Sequence, residues 1–404
     1  MKQIINHFTD NDLYTFTCMY YILQKYPRAE TEYRFFDRNR TCYPKGFDLL
    51  LREQLEHLAD VVITYDEREF MTRSFPFLPY WFINVFLRGF RFNPAELTIS
   101  QDEEGNLDIR VKGKWWSTII WEMPILATIS ELMHTLNGDT MKYDAEAEWE
   151  KSLQKGRQIW TNGLTLGDMG TRRRFTFDHQ ERVIDALIQS YAEVCKETGG
   201  HCGKFTGTSN VYFAMKKNIP CLGTMSHQCI SFEEIVSGVF ECNYNVMNKW
   251  SEVYDGNVGI FLYDCFGDRV FFNNLSKRMA MTFCGLRIDS GVEEEQVDMI
   301  VEKYKQLGID PMSKQAVFSN GLDIKRAVEI HRYCQGKITD SYGVGTFLTC
   351  DVTDCSPMNI VVKLVRGRIT ESREWHPCVK LSCDKGKTLG DAKKCEYLVS
   401  VLNE

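Results

Sequence analysis

The chain has 404 residues and a mass of 47.0 kDa, more than one ordinary domain needs and enough for two. Hydrophobic residues at 44% and charged residues at 25% exclude wholesale disorder, and 48 Lys plus Arg against 55 Asp plus Glu give a net charge of −7, which argues against nucleic acid as the main partner. The most apolar stretch, Trp115 to Ser130, is broken by Glu122 and Pro124, and the amino terminus lacks the apolar core of a secretory signal, so no membrane span and a cytoplasmic location are expected.

In chain order, Thr31 to Arg38 alternates like a half-buried strand, and LTISQDEEGNLDIRV reads as two strands joined at Gly105-Asn106. The aromatic run from Phe70 to Phe92 reads as core ahead of interface. From about residue 164 a short apolar strand, a turn and a helical segment recur. The strand ends are GLTLGDMG, KFTGTSN, PCLGTMSH, VGIFLYD, GLRIDSG, AVFSNGLD and DSYGVGT. Ser231 and Glu234 form an S-x-x-E capping box, and Val297, Ile300, Val301 and Tyr304 make one apolar face closed by Gly308. Repeated units of this kind imply an α/β fold with parallel strands, either a barrel or a doubly wound sheet, and the lack of a second composition break favours an irregular TIM-like barrel. After Thr346, MNIVVKLVRG and WHPCVKLS read as strands that return to the amino-terminal sheet. The expected organisation is therefore an α/β open sandwich from 1–160 and 347–404 around a barrel at 161–346. The 15 cysteines are odd in number and form no C-x-x-C pair, which suits reduced, mostly buried thiols. His201-Cys202, flanked by Gly199, Gly200 and Gly203, reads as a plain loop.

Side chains at the carboxyl ends of barrel strands face the active site. Here those ends carry Asp168, Arg172, Thr208, Ser209, His227, Asp264, Arg287, Asp289, Ser319, Asn320 and Gly345. Helix capping explains Ser209, Asn210 and Ser231 but not polar residues at all seven ends. Arg172, Arg173 and Arg174 precede a helix, where cations oppose the macrodipole unless an anion, such as phosphate, or acidic neighbours offset them. Gly321 and Gly343-Val344-Gly345-Thr346 let backbone N–H groups approach an anion at the last two units, without a Walker or Rossmann fingerprint. His227, with Asp264 at the next strand end, can act as base, acid or nucleophile, and Asp289 suits ribose hydroxyls or a magnesium-held pyrophosphate.

The ordered motifs TDNDLYTFTCMYYI, FLRGFRFNP, WEMPILATISE, GDMGTRRRF, GTSNVYFAMKKNIPCLGTMSHQ, GLRIDSG, FSNGLD, SYGVGTFLTCD, PMNIVVKLV and VKLSCDKGK span nearly the whole chain. In them the sequence resembles the type II nicotinate phosphoribosyltransferase family, which includes the nicotinamide phosphoribosyltransferases. The resemblance implies a barrel-plus-sandwich subunit, a homodimer with shared sites, and formation of nicotinate mononucleotide and pyrophosphate from nicotinate and phosphoribosyl pyrophosphate in NAD salvage. It also implies ATP as co-substrate in a ligase-type reaction, Mg2+, and transient phosphorylation of His227 held by Asp264. By family position Tyr14 stacks on the pyridine ring in the partner's site, with Met169 as the other wall. Arg172 and Arg287 meet the carboxylate or phosphates, and Asp289 the ribose or Mg-pyrophosphate. Thr208, Ser209, Ser319 and Asn320 line the substrate, Gly321, Gly345 and Thr346 take the 5′-phosphate, and Lys363 and Lys380 contact anionic groups. Ser209 stands where nicotinamide-using relatives carry aspartate. A carboxylate there would repel that of nicotinate by several kcal/mol at about 4 Å, so serine, a donor, favours nicotinate.

Four departures from the family pattern are Met169 for phenylalanine, Gln228 for glutamate, Val292 after DSG, and Cys383 within KLSD. The alternatives are a nicotinamide- or quinolinate-using phosphoribosyltransferase, or a catalytically inactive barrel binding protein.

Overall fold

The computed structural model describes residues 2–382, 388 and 390–403; Cys383 lies outside them. Strands β1 (Glu30–Asp37), β2 (Leu97–Gln101) and β3 (Leu107–Lys114) come from the first third of the chain. Then follow β4 (Thr165–Asp168), β5 (Lys204–Thr208), β6 (Ile260–Leu262), β7 (Gly285–Ile288), β8 (Gln315–Phe318), β9 (Thr339–Val344), β10 (Ile360–Arg368) and β11 (His376–Pro377). Two sheets result. One is antiparallel, in the order β11-β10-β1-β3-β2, so both ends of the chain build it; the other is parallel, in the order β5-β4-β9-β8-β7-β6.

The alternation expected near residue 31 holds only in part: Thr31, Tyr33 and Phe35 turn inward and Arg34 faces out, but Glu32 is buried too, where it pairs with Arg366 of β10. The hairpin between β2 and β3 differs from the two-residue turn. It is a longer loop, because Asp102 accepts from the backbone of Glu104 and Asn106 and draws the chain around itself. The aromatic run supplies core at Phe70, Phe75, Phe82, Phe90 and Phe92, yet leaves Tyr80, Trp81 and Val85 exposed.

In the parallel sheet the first and last strands pair, β4 beside β9, which curls the sheet towards a ring. Of the seven expected strands, PCLGTMSH forms none: Cys221 makes a single parallel bridge to Thr208. Among the described residues no pairing joins β5 to β6, so the ring stays open there. The capping box expected at Ser231 lies inside a helix, His227–Ser237, that starts four residues earlier, with Ser226 as its N-cap. That helix joins the two sheets. Phe232 stacks on Trp115 at a 4.1 Å centroid distance, and a Cβ at Gly367 of β10 would come within 2.7 Å of the Phe232 ring. Only glycine lets β10 approach so closely, and burying two such aromatics contributes roughly 1.5–3 kcal/mol each. His227, the first residue of this helix, is thereby held between the sheets.

Candidate active site

His227 Nε2 lies 2.8 Å from Asp264 Oδ1, beyond the end of β6. Lys380, on the segment after β11, places Nζ 2.8 Å from the same Nε2 and donates to Asp264 Oδ2 at 2.9 Å. Ser290, after β7, donates to that oxygen at 2.7 Å. Burial alone would raise the Asp264 carboxyl, but His227 and Lys380 overrule it and hold it well below the usual carboxylate range. Burial, then the Lys380 ammonium, push the His227 imidazole down to about 4. The ring is neutral at ordinary pH, and among the described residues no hydrogen bond reaches its Nδ1.

Asp289 closes the group. Its Oδ1 accepts from Ser319 at 2.8 Å, while Oδ2 stands 3.7 Å from His227 Nε2 and 3.9 Å from Lys380 Nζ. Ligand atoms of His227, Asp264 and Asp289 all lie within 4.8 Å of one another, a spacing that can hold a cation. Positive charge surrounds them. Arg38, Arg173, Arg287 and Lys363 have no carboxylate within ion-pair distance among the described residues, and the Nε atoms of Arg38 and Arg287 are buried without a hydrogen-bond partner. Burial, with Arg172 and Lys380 nearby, pushes Lys363 down to about 8. Asp289 and Glu122 act on these cations from a distance, and the converging positive charge makes an anion site.

The three consecutive arginines diverge, and of the two offsets left open for them, acidic neighbours serve Arg174 and Arg172. Arg174 is fully buried and pairs through two parallel bonds with Asp10, at 2.7 and 2.8 Å, so its charge is satisfied internally. Arg173 donates to the Ile360 carbonyl at 3.0 Å. Arg172 lies over the Tyr14 ring at 5.6 Å and 3.9 Å from Glu122.

Tyr14 is buried inside its own chain, donating to Glu122 Oε2 at 2.7 Å. Thr208, expected to meet substrate, is fully buried: its hydroxyl donates to Asp168 at 2.7 Å, so it braces β4 against β5. The Ser209 hydroxyl donates to Asp12 at 2.8 Å, so towards a ligand it is left as an acceptor rather than the donor expected for a carboxylate. Met169 lines a cavity inside the ring of strands with Arg287, Cys221, Leu222 and Tyr342. Ser319, Asn320 and Gly321 follow β8, and Gly345 and Thr346 follow β9, at the same end of the sheet as Asp289. Gln228 bonds Tyr33 and Ser226, fastening the start of the His227 helix to β1. Val292 is exposed ahead of the helix Glu293–Gln306.

Sequence reasoning missed Arg38, Glu122, Asp12 and Ser290. Glu122 carried a signal, an acid inside an apolar run; Arg38, at the end of an alternating strand, carried none.

A family model described as the nicotinate phosphoribosyltransferase (NAPRTase) family matches residues 164–404, and one for its N-terminal domain matches residues 9–130. A nicotinate phosphoribosyltransferase of Desulforapulum autotrophicum is 36% identical over 399 residues, covering 99% of this chain and 99% of the relative. One of Methanosarcina mazei is 35% identical, covering 96% of each. Among solved structures, nicotinate phosphoribosyltransferase from Porphyromonas gingivalis superposes with a TM-score of 0.93 at 39% identity, covering 99% of this chain and 100% of the other. The Vibrio cholerae enzyme does so with a TM-score of 0.88 at 26% identity, covering 99% and 94%.

Proposed function

The chain belongs to the nicotinate phosphoribosyltransferase family, and on that premise we propose that it makes nicotinate mononucleotide and pyrophosphate from nicotinate and phosphoribosyl pyrophosphate, coupled to ATP through His227. The observation that carries the reading is the neutral His227 ring, anchored at Nε2 by Asp264 inside a cluster of cations. When Nε2 carries the proton towards Asp264 Oδ1 and the Lys380 ammonium donates to Asp264 Oδ2 instead of to the ring, a lone pair is left on Nδ1. Nδ1 attacks the γ-phosphorus of ATP, the N–P bond forms, and ADP departs with the electrons of the broken P–O bond. Hydrolysis of the phosphohistidine later returns the ring.

In the transfer step the pyridine nitrogen attacks C1′ of the sugar as the C–O bond to pyrophosphate breaks. Lys363, Lys380, Arg38 and Arg287 supply fixed positive charge where the leaving group gains negative charge. Ser319–Gly321 and Gly345–Thr346 offer backbone N–H groups to the 5′-phosphate. Tyr14 and Met169 flank the ring, and Arg172 faces its carboxylate. Mg2+ would be held at Asp289, whose carboxylate groups with His227 and Asp264, and bound there it would neutralise pyrophosphate charge. A homodimer belongs to the same proposal, supported by the exposed Tyr80, Trp81 and Val85.

Pyrophosphate release from phosphoribosyl pyrophosphate, measured with nicotinate, nicotinamide or quinolinate and with or without ATP, tests the reading. Turnover is expected with nicotinate, stimulated by ATP in the wild type and not in His227→Ala. Because Asp12 keeps a carboxylate beside Ser209, the nicotinamide arm is decisive: equal use of nicotinamide would discard the substrate assignment.

A further inference from the structure

Away from this site, three metal-ligand side chains converge where nothing in the proposed reaction uses them. Ligand atoms of His134, Asp139 and Cys355 all lie within 4.8 Å of one another. His134 is near the end of the helix Glu122–Leu136, Asp139 opens the turn Asp139–Met141, and Cys355 sits on the loop after the last strand of the parallel sheet. Glu122 and the far end of that helix are about 20 Å apart, and the cluster lies beside Phe175, whose ring centroid is 4.9 Å from that of His134.

We propose that His134 Nδ1, an Asp139 carboxylate oxygen and Cys355 Sγ bind a divalent transition-metal ion, zinc first, with water as the fourth ligand. The donor set argues for the metal class. One nitrogen, one oxygen and one thiolate suit zinc, whereas magnesium and calcium take oxygen. Zinc–ligand bonds of about 2.0–2.3 Å put tetrahedral donors roughly 3.3–3.7 Å apart. The cluster reaches that spacing with small side-chain movements: His134 Nδ1 and Asp139 Oδ2, now 2.8 Å apart, separate slightly as the metal replaces the proton between them.

The surroundings are already arranged for it. The ring's other nitrogen, Nε2, lies 3.4 Å from Cys350 Sγ, so the ring proton displaced from Nδ1 can sit on Nε2 and point at that sulfur. Metal-bound histidines are usually held by such an outer contact. The His134 side chain is 3% exposed while Asp139 is 19% exposed and Cys355 half-buried, which leaves an entry path on one side of a fixed ring. On binding, Cys355 releases one proton and the imidazole stays neutral. The ion would clamp the end of the Glu122 helix to the loop 350–355.

The test uses the full untagged chain, loaded with zinc alone or cobalt alone and dialysed. Close to one equivalent of zinc per chain is expected by elemental analysis, and the cobalt form should show a thiolate-to-metal charge-transfer band. Cys355→Ser should abolish that band, and Asp139→Asn should lower zinc retention by at least about tenfold, both with an unchanged far-UV spectrum. Cys350→Ser should keep the band, because Cys350 only supports the ring. Absence of retained zinc and of the band in the wild type would overturn the site. Loss of the band in Cys350→Ser with survival in Cys355→Ser would overturn its ligand assignment. Neither outcome bears on nicotinate turnover, so this proposal and the catalytic one fail separately.

Discussion

Glu122 holds two of the groups proposed to meet nicotinate, the Tyr14 ring and the Arg172 guanidinium. Its Oε2 accepts from the buried Tyr14 hydroxyl at 2.7 Å, and its Oε1 lies 3.9 Å from Arg172. The hydrogen bond is the stronger tie, because Arg172 is 38% exposed and its ion pair is long. Glu122→Ala strands the Tyr14 hydroxyl, a loss of about 1–3 kcal/mol, and should raise the nicotinate KM by roughly tenfold or more. Glu122→Gln keeps an oxygen acceptor and should restore most of the affinity. If both variants are equally impaired in steady-state kinetics, charge rather than the hydrogen bond is what matters. His227 gives a second residue-level expectation. With its imidazole pushed down to about 4, the ATP-stimulated rate should show no acid limb at the ordinary histidine value of 6.5. Removing the Lys380 ammonium takes away a downward influence, so in Lys380→Met the limb should move up towards neutrality in a pH–rate profile. A limb that stays put would mean that Lys380 does not control the ring.

At the level of elements, the segment after β5 shows how backbone geometry positions side chains. Gly207 has φ +103, and a Cβ there would stand 1.9 Å from the Pro220 carbonyl oxygen. Thr208 N donates to that carbonyl at 3.2 Å, and the Ser209 carbonyl accepts from Leu13 at 2.8 Å, at the start of the Tyr14 helix. Gly207→Ala should therefore destabilise the chain by well over about 1 kcal/mol, read as a lower denaturant midpoint, and weaken nicotinate binding with it. A variant of unchanged midpoint would refute the collision. This segment also marks what could be read from the sequence. The strand ends were legible because apolar runs stop at glycine and polar residues, and His227, Asp264, Asp289 and Ser319 do converge. The inward turn of Thr208 and the Ser209–Asp12 bond were not legible. They depend on Asp168 and Asp12 arriving from elsewhere in the chain, at distances that no local pattern encodes. Arg174 could not be told apart from Arg172 and Arg173 for the same reason, since its partner Asp10 is 164 residues away.

Across the whole molecule, buried titratable groups act in opposite directions. Burial pushes His179 and His227 from 6.5 down to about 4. In that window the unfolded chain binds protons that the folded chain refuses, so these histidines make stability rise with pH until 6.5 and lose it as pH falls towards 4. Glu131 and Asp168 do the reverse. Burial raises Glu131 from 4.5 to about 7 and Asp168 from 3.8 to about 6, so the folded chain holds extra protons and loses stability as pH rises through those ranges. Two gains and two losses overlap between pH 4.5 and 6 and should leave the wild-type Tm nearly flat there. Glu131→Gln removes one loss while its amide oxygen still accepts from the Phe177 backbone, as Glu131 Oε2 does at 2.9 Å. The term removed is on the order of 3 kcal/mol between pH 4.5 and 7. Thermal unfolding followed from pH 5 to pH 7 should then show the Glu131→Gln Tm climbing by a few degrees relative to the wild type. Parallel profiles would mean that Glu131 ionises normally in the folded chain, with Arg174 offsetting its burial.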